Sequence, residues 1–334
     1  MRRVAAALAA LWLTGCGRYG DFQLPKPAGE PQEVAWQWQP HSGPVMGRGA
    51  EGEWDGVDAL NPSVLRWENR LLNLYSGFDG QTWRTGVAES FDGLNWRKRN
   101  VLLSPEGWEG TYIAANGHAM VRNGEIFIWY QAGDPPRIGL ARWDGLGNAV
   151  KHSRPVLEPG PRGSWDERGV ADPYVIEAGG QLYMFYLGQD RARRQRLGVA
   201  SSPDGVRWTK LRSNPVLELG GIGEFDEMGL GEPAVWGQFG HYWMLYTGRD
   251  RKEVRRMGMA RSRDGVRWQK LRAPVIEGGE SWNAKVVCDA TVMSGPDMVR
   301  VWFGGGDQPR PDERLNGQIG YGVLRPAGAK LAGE

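Results

Sequence analysis

The chain has few cysteines and no surplus of charge of either sign. Only two of its 334 residues are cysteine, Cys16 and Cys288. If the sulfur of Cys16 carries a lipid, Cys288 has no second thiol with which to form a disulfide within the mature chain, so packing must supply its stability. Lys and Arg total 41 against 39 Asp and Glu. This balance argues against a nucleic-acid partner, which favours a clustered basic surface.

The chain also has no apolar run long enough to cross a bilayer. Residues 4–13 form an apolar run of about ten residues, whereas a membrane-spanning helix needs about 20. Arg2 and Arg3 precede this run, and Leu13–Cys16 after it resembles a lipobox. We therefore expect a lipoprotein signal peptide over residues 1–15, with lipid attached at Cys16. Residues 16–33, rich in proline, are predicted to form an extended lipidated tether without a core of its own.

Glycine and aromatic residues are abundant, with 50 Gly and 17 Trp, and they recur at a regular spacing. Each repeated block begins with an aromatic residue, ends a second apolar segment on another, and has a glycine in a third. A regular distance from one opening aromatic to the next is typical of repeat architectures. The opening residues are Trp54, Trp108, Trp165, Phe225 and Trp282, the second aromatics are Tyr75, Tyr130, Tyr186, Tyr246 and Phe303, and the glycines are Gly86, Gly139, Gly198, Gly258 and Gly320.

Three blocks continue with a Ser-x-Asp-Gly-x-x-Trp motif, at residues 90–96, 202–208 and 262–268. Asp-Gly between apolar segments is a strong hairpin signal, so a fourth strand should follow. The last block has only three strands, and the segment around residues 38–44 has the pattern of the missing fourth. These features predict an all-β, five-bladed β-propeller over residues 34–326, with the last blade closed by the N-terminal strand. Residues 327–334 are then a C-terminal tail, and most tryptophans pack between blades.

Alignment of the blocks separates a uniform ring of acids from a divergent ring. The uniform ring fits aspartates that form turns after the second strand. The divergent ring lies at the start of the innermost strand, where the blades converge on one mouth of a central funnel. Carboxylates buried near one another are costly, so the divergent ring is a candidate functional site. The uniform positions are Asp79, Asp134, Asp190, Asp250 and Asp307, and the divergent positions are Asn61, Asn116, Asp172, Glu232 and Asp289.

Acids at this place suit cleavage of glycosidic bonds, which needs a protonated carboxylic acid and a second group opposite it. Asp172 beside Glu232 would keep Glu232 protonated near neutral pH, and this chemistry requires no cofactor. The alternative is that the ring holds a structural cation, such as calcium, in the central funnel.

Two short segments resemble the five-bladed propeller glycosidases, which comprise the arabinanase, levansucrase and invertase group and glycoside hydrolase families 43, 32 and 130. Residues 169–173 are similar to a family 130 segment. Asp172-Pro173, followed by Gly180 and Tyr183, and Glu232-Pro233, followed by Gly240 and Tyr242, resemble two consecutive family 43 blades. The resemblance covers about residues 34–325 and implies that Glu232 is the general acid and that Asp172 tunes its pKa.

The chain departs from this pattern in the preceding blade, where Asn116 occupies the position of the base or nucleophile aspartate. His118, two residues further along the same strand face, is one candidate for a replacement base, and Asp58 and Asp289 are others. We predict Asp289 as a third catalytic residue, with Asn61, Asn116, His118 and Asp58 binding substrate. Phosphorolysis, as in part of family 130, would need no base.

Two basic loops follow the second strands of the third and fourth blades. They either contact a phosphate or an acidic sugar, or are solvated hairpin charges. Their residues are Arg191, Arg193, Arg194 and Arg196, and Arg249, Arg251, Lys252, Arg255 and Arg256.

The leading functional hypothesis is an enzyme like the glycoside hydrolases, lipid-anchored to the bacterial cell envelope and acting on an oligo- or polysaccharide. The alternative, suggested by Asn116, is a non-catalytic carbohydrate-binding or scaffold lipoprotein. In both cases we expect a monomer whose partner is a carbohydrate and whose membrane contact is the lipid at Cys16 alone.

Overall fold

A computed structural model describes residues 18–327. Over this range the regular structure is β-strand, apart from two single-turn 3-10 helices at Gly107–Glu109 and Ser281–Asn283. The predicted all-β class is therefore confirmed. No helix among the described residues is long and apolar enough to cross a membrane. The predicted signal peptide, Cys16 and most of the predicted C-terminal tail lie outside the described residues.

The strands form repeated antiparallel units, numbered here in chain order. Two strands precede them, β1 (Tyr19–Gly20) and β2 (Trp36–Pro40). Unit 1 contains β3 (Asp58–Leu60), β4 (Val64–Trp67), β5 (Arg70–Phe78), β6 (Trp83–Ser90) and β7 (Arg97–Leu103), and unit 2 contains β8 (Ile113–Arg122), β9 (Glu125–Ala132), β10 (Arg137–Trp143) and β11 (Val150–Lys151). Unit 3 contains β12 (Gly169–Ala178), β13 (Gln181–Gln189), β14 (Gln195–Ser202) and β15 (Thr209–Leu211), and unit 4 contains β16 (Gly229–Gln238), β17 (His241–Arg249), β18 (Arg255–Ser262) and β19 (Trp268–Lys270). Unit 5 contains β20 (Val286–Ser294), β21 (Val299–Gly306) and β22 (Gln318–Pro326).

The fourth strand of unit 5 comes from the other end of the chain, as predicted. β2 pairs antiparallel with β22, with Trp36 opposite Pro326 and Pro40 opposite Gly322. Met46 forms a further bridge with Ile319. The first and last parts of the folded chain are thus joined in one sheet, and β22 is not left as an open edge.

The repeated glycine of the third strand is explained by the aromatic rings packed against it. A Cβ atom at Gly86 would lie 2.2 Å from the ring of Trp54, and one at Gly198 would lie 2.4 Å from the ring of Trp165. In units 1, 3, 4 and 5 the opening aromatic also packs on the second-strand aromatic, with the Trp54 and Tyr75 centroids 5.4 Å apart. The strand therefore tolerates no side chain at this position.

The Ser-x-Asp-Gly motifs form the predicted turns. Ser90 Oγ accepts a hydrogen bond from Gly93 N at 2.8 Å, and Asp92 Oδ1 accepts one from Asn95 N at 2.8 Å. The carbonyl of Gly93 also accepts the indole N–H of Trp302, from unit 5, at 2.7 Å. The turns thus link neighbouring units through tryptophan, which confirms a packing role for that residue.

Three of the five uniform acids form turns through their side chains, whereas Asp307 accepts hydrogen bonds from the side chains of Gln308 and Asn316. Asp190 Oδ1 accepts the backbone N–H of Ala192 and Arg194, and Asp250 Oδ1 accepts those of Lys252 and Val254. Asp79 does the same in unit 1. These aspartates serve the loop that follows the second strand.

A buried charge cluster that the sequence analysis missed recurs in units 1 to 4. In unit 1, Asp55 accepts hydrogen bonds from Tyr75 Oη at 2.7 Å and Lys98 Nζ at 2.6 Å. Unit 5 has the neutral residues Asn283 and Phe303 at the first two positions. The corresponding groups are Glu109, Tyr130 and Lys151; Asp166, Tyr186 and Lys210; and Asp226, Tyr246 and Lys270.

Residues 18–33, predicted as a tether, are packed against units 3 and 4. β1 pairs parallel with β15, with Tyr19 opposite Lys210. Further along, Pro25 O accepts a hydrogen bond from Tyr242 Oη at 2.7 Å, and Gln32 N donates to Phe239 O at 3.1 Å. Over the described residues the segment is docked on the folded domain and does not extend away from it as a tether, because its backbone completes contacts that the units leave open.

Leu24 is the main apolar contact of this N-terminal arm. Its side chain is 4% exposed and packs on Gly265 in the turn of unit 4. At the equivalent turns, the indoles of Trp302 and Trp129 pack on Gly93 and Gly205. The residue of unit 3 at the position of these tryptophans is the smaller Phe185, and Leu24 fills the remaining space.

Replacing Leu24 with alanine is expected to lower the free energy of unfolding by about 2–5 kcal/mol, as for other buried leucines. Denaturation in urea measures the change, and Lys26→Ala, an exposed position on the same arm, is the control. Equal stability of both variants would contradict the docking of the arm.

Candidate active site

The divergent ring is built by one backbone device repeated around the molecule. Each of its five residues has a left-handed backbone conformation, which is uncommon outside glycine and costs about 1–3 kcal/mol. The strand pairing is also irregular at these positions in units 2 to 5. The φ values are 48° at Asn61, 50° at Asn116, 48° at Asp172, 49° at Glu232 and 57° at Asp289.

This conformation brings the ring to one cavity of about 350 Å³, which all five residues line. A bulge redirects a side chain that a regular strand would place elsewhere. The strained backbone therefore places functional groups in the cavity, and strain of this kind is typical of active sites.

The three acids of the ring are in contact. The backbone N–H of Glu232 donates to the Asp172 carboxylate. Oxygen atoms of Glu232 and Asp289 and the Cys288 Sγ all lie within 4.8 Å of one another, and Cys288 Sγ donates to Asp289 Oδ2 at 3.0 Å. Glu232 thus lies between two other carboxyl groups.

The electrostatics of this cluster favour bound protons at neutral pH. Burial, followed by the charge of Glu232, raises the pKa of Asp172 to about 8. The same two causes raise the pKa of Asp289 well above its usual range. Carboxyl groups this close titrate as a set. The site can therefore hold a carboxylic acid proton under conditions where isolated aspartates are ionised.

The opposite part of the ring is neutral and held by amide contacts. Ser76 Oγ accepts from Asn116 N at 2.9 Å and donates to Asn116 Oδ1 at 3.2 Å. Asn116 Nδ2 donates to Gln131 Oε1 at 3.3 Å, and Asn61 N donates to Asp289 Oδ2 at 3.3 Å. The acidic groups are consequently confined to units 3, 4 and 5.

Two residues of the basic loops belong to the cavity rather than to the solvent. Arg255 is partly buried, and its positive charge interacts with the charges of Glu232 and Asp289. Its guanidinium donates to the carbonyls of Arg310 and Pro311. Arg249 donates to Gln195 Oε1 at 3.0 Å, and both arginines line the cavity. Arg194 and Arg251, with side chains 58% and 62% exposed, fit the alternative of solvated charges.

His118 does not lie in the main cavity, contrary to its predicted role in substrate binding or as a base. It lines the narrower space beneath the ring, where its Nδ1 accepts the N–H of Val175 at 3.2 Å and its ring packs 4.0 Å from that of Tyr174. Burial lowers its pKa to about 3. It is a neutral, hydrogen-bonded structural residue, because the strand turns its side chain past the bulge and away from the cavity.

Asp58 does not line the cavity either, contrary to its predicted role in substrate binding or as a base. It is fully buried and accepts the backbone N–H groups of Arg314, Leu315 and Gly317 at 2.6, 2.9 and 2.8 Å. Its carboxylate therefore fixes the loop of residues 307–317 from unit 5 against unit 1. With its oxygens occupied by backbone, it is unsuited to bind substrate or to act as a base.

The ring does not fit the calcium ion suggested as an alternative. Calcium takes six to eight oxygen ligands. Here the closest group of donors includes the thiol of Cys288, and the positive charge of Arg255 acts on the same acids. A soft ligand and a fixed positive charge both disfavour a hard divalent cation.

One carboxylate oxygen in the cluster has no partner. Glu232 Oε2 is buried and accepts no hydrogen bond. A buried polar atom of this kind is costly and is often explained by a functional role. Among the described residues it is the only carboxylate oxygen of the ring that is buried and has no hydrogen-bond partner.

The sequence analysis missed the aromatic wall of the cavity. Trp83 and Tyr112 line it from units 1 and 2, and Tyr112 Oη donates to Glu313 Oε2 at 2.9 Å. Pro311 and Asp312 line it from the loop of residues 307–317. These residues lie outside the aligned repeat positions, so no periodic signal marks them.

The raised pKa of Asp172 predicts how stability depends on pH. In the unfolded chain this carboxyl ionises near pH ~4, whereas in the fold it keeps its proton up to about pH 8. The folded state binds more protons between these values, so the free energy of unfolding falls as pH rises. Asp172→Asn should remove this contribution, and the variant should gain on the wild type as pH rises towards 8. Urea denaturation across this pH range measures it.

Asp79→Asn is the matched control with the opposite sign. Although burial acts to raise it, hydrogen bonds from Arg84 and two backbone amides lower the pKa of Asp79. This variant should lose stability relative to the wild type at neutral pH. Parallel stability curves for wild type and Asp172→Asn would contradict the shift at Asp172.

Comparisons with known proteins agree with this geometry. Residues 73–302 match the model of the family described as glycosyl hydrolases family 32 N-terminal domain. An uncharacterized protein of Mycobacterium tuberculosis is 28% identical over 230 residues, covering 63% of this chain and 75% of the relative. A probable sucrose-6-phosphate hydrolase of Vibrio cholerae is 27% identical over 130 residues, covering 36% of this chain and 23% of that protein.

Solved structures share the fold at low sequence identity. A glycosyl hydrolase from Bacteroides ovatus has a TM-score of 0.70 at 16% identity, covering 89% of this chain and 96% of its own. The β-1,2-mannobiose phosphorylase of Listeria innocua has a TM-score of 0.65 at 13% identity, covering 80% and 89%. A structure from the GH130 family of mannoside phosphorylases has a TM-score of 0.69 at 17% identity, covering 90% and 96%. At these identities the likeness concerns the fold.

Proposed function

This chain belongs to the glycosyl hydrolase family 32 N-terminal domain family, and from this premise we propose that it is an exported enzyme that cleaves glycosidic bonds in the central cavity of a five-bladed β-propeller. Its substrate class is an oligo- or polysaccharide. The proposed propeller spans residues 34–326, and the units described above are its blades. The pairing of β2 with β22 supports a ring closed by the N-terminal strand.

The observation that carries the catalytic proposal is the unpartnered Oε2 of Glu232 among three crowded carboxyl groups. We assign Glu232 as the general acid, because a leaving glycosidic oxygen would supply the missing partner. The Asp172 carboxylate accepts a hydrogen bond from the backbone N–H of Glu232, and the charges of the two carboxyl groups act on each other. Asp289 is the proposed second carboxyl group, since unit 2 offers Asn116 in place of an acid.

Hydrolysis at this site would use Glu232 as the acid and Asp289 as the base. The carboxylic acid of Glu232 gives its proton to the glycosidic oxygen while the bond from that oxygen to the anomeric carbon breaks. Water forms the new bond to the anomeric carbon, and the Asp289 carboxylate accepts the proton that water loses. The step requires a proton on Glu232 and an ionised Asp289, so the two carboxyl groups carry a single proton between them. Asn61 and Asn116 are left to hydrogen-bond sugar hydroxyl groups.

Phosphorolysis is the second candidate, favoured by Arg249 and Arg255 in the cavity wall. Inorganic phosphate would replace water as the nucleophile and needs no base, which agrees with Asn116 in unit 2. Guanidinium groups suit phosphate oxygens. The product would then be a sugar phosphate rather than a free sugar.

The proposed location is the outer side of a bacterial membrane, with the chain held by lipid at Cys16. The motivating observation is the basic, apolar and lipobox-like order of residues 2–16. Mass spectrometry of the N-terminal peptide from the producing cells tests it. A mature N-terminus without lipid would eliminate the anchor.

A panel of glycosides and oligosaccharides, incubated with and without phosphate, tests the activity and separates the two candidates. Release of free sugar without phosphate supports hydrolysis, and phosphate-dependent release of sugar phosphate supports phosphorolysis. Retention of a glycan without turnover would instead identify a non-catalytic carbohydrate-binding protein.

A further inference from the structure

The cavity and the tight turns lie on opposite faces of the molecule. In unit 3, the cavity is lined by Gly169 at the start of β12, Gln189 at the end of β13 and Gln195 at the start of β14. β14 then runs away from the cavity to the turn at residues 202–208. We call the surface formed by residues 90–96, 144–147, 202–208 and 262–268 the turn face. Arg122 donates to Pro203 O at 3.1 Å, so the hairpin of unit 2 reaches this face as well.

The N-terminal arm brings the start of the described chain to the edge of the turn face. Because β1 runs parallel to β15, the chain before Tyr19 points back towards the turn that precedes β15. The carbonyl of Arg18 accepts the N–H of Lys210 at 2.8 Å. Cys16 is two residues earlier, which at full extension is about 7 Å of chain.

The docked arm leaves little free chain between a lipid and the domain. A lipid on Cys16 would be separated from the edge of unit 3 by this short link, not by the length of residues 16–33. The domain must then lie close to the bilayer surface, with the turn of unit 3 nearest to the point of attachment.

Units 1 and 2 expose large apolar side chains on the turn face. Phe91 is 81% exposed and Leu146 is 83% exposed, each within a turn after the third strand. The matching positions of Phe91 in units 3 and 4 are Pro203 and Arg263. Isolated exposed side chains need no explanation, but aromatic and aliphatic groups on the face towards which the chain leads to its lipid are suited to the headgroup region.

We propose that the turn face of units 1 to 3 rests on the bilayer that holds the lipid at Cys16, with Phe91 and Leu146 inserted among the headgroups. The cavity then faces away from the membrane and is open to glycans. This rests on the proposed lipidation and not on the assignment of catalytic groups.

Site-directed fluorescence tests the orientation. The lipidated full chain is placed in phosphatidylethanolamine and phosphatidylglycerol vesicles with a polarity-sensitive dye on one introduced cysteine. Cys288 is buried and is not labelled in the folded protein. The labelled variants are Phe91→Cys and Leu146→Cys, with Arg263→Cys as the matched turn position of unit 4 and Ile222→Cys, 91% exposed on the cavity side, as the opposite control.

We expect a blue shift and quenching by spin-labelled lipids at positions 91 and 146, and neither effect at 222. Quenching at 222 alone would reverse the orientation, and no quenching at any position would place the domain away from the bilayer. A shift at position 91 in detergent that grows with protein concentration would assign the surface to a second copy of the chain. Each of these results overturns the proposal.

Two measurements on the same samples separate this proposal from the proposed lipidation of Cys16 and from the proposed catalytic activity. Mass spectrometry reports the lipid on Cys16, and its absence removes the basis for docking. Glycan turnover reports the catalytic proposal, which can fail while the quenching pattern stands.

Discussion

Replacing Glu232 by glutamine is expected to lower kcat/KM for the glycan substrate by about 10²- to 10⁴-fold, the usual contribution of a general acid. Glutamine keeps the size of the side chain but has no acidic proton for the leaving oxygen. The unpartnered Oε2 that makes Glu232 the candidate becomes part of an amide. Steady-state kinetics on the best substrate of the panel measures the loss.

Glu177→Gln is the matched control for this prediction. Glu177 has a side chain 41% exposed and pairs loosely with Arg122 at 3.9 Å, away from the cavity. Its variant should turn over substrate as the wild type does. Equal activity of Glu232→Gln and Glu177→Gln would remove Glu232 from the chemistry. Unchanged thermal unfolding of Glu232→Gln shows that the loss is not one of folding.

Lys210→Met is expected to cost about 3–5 kcal/mol of the free energy of unfolding, the cost of leaving a buried charge without its partner. Lys210 pairs with Asp166, which is fully buried, and the tyrosine at position 186 packs on the same cluster. Burial lowers the pKa of Lys210, which shows how closely the ammonium group is enclosed. Methionine preserves most of the apolar stem but leaves the Asp166 carboxylate unpaired. Chemical denaturation measures the change.

Unit 5 supplies the matched control for this cluster. It has Asn283 and Phe303 where the other units have an acid and a tyrosine, so a neutral arrangement is compatible with the fold. The double variant Asp166→Asn with Lys210→Met should therefore recover much of the loss. A double variant as unstable as Lys210→Met would show that the damage comes from packing and not from the unpaired charge.

The repeated parts of the fold could be predicted from the sequence because the residue pattern of each occurs in several units. The aromatic openers, the glycine under them and the Ser-x-Asp-Gly turns act within one unit, so their spacing alone shows them. The pairing of β2 with β22 was also accessible, since the last block lacks a strand and the first residues supply one. The acids beside the opening aromatics were equally periodic, and Lys98, Lys210 and Lys270 each follow the motif tryptophan by two residues.

The parts that could not be predicted depend on single contacts between distant segments. Nothing local in residues 18–33 shows that Leu24 substitutes for an indole, because the space it fills is created by Phe185 and Gly265. Asp58 and His118 looked suitable by residue type, but their hydrogen bonds go to backbone atoms of other units. Arg255 appeared as one of many loop charges, and its place in the cavity depends on contacts with the distant residues 310 and 311.

The divergent ring was found by comparing repeats, but its means of construction was not. The left-handed conformations at Asp172, Glu232 and Asp289 are unfavourable for these residue types, and the crowding of their charges adds a further cost. Both costs fall on the one ring position whose residues differ between units. A fold selected for stability alone would have neither, which is the physical reason to place the function there.

A crystal structure of Glu232→Gln with a bound oligosaccharide tests the central claim most directly. The account predicts a glycosidic oxygen within hydrogen-bond distance of the side chain at position 232, with the adjoining sugar ring held between Asp172, Asp289 and the amides of Asn61 and Asn116. A sugar bound outside this cavity, or an empty cavity at concentrations that the wild type turns over, would contradict it.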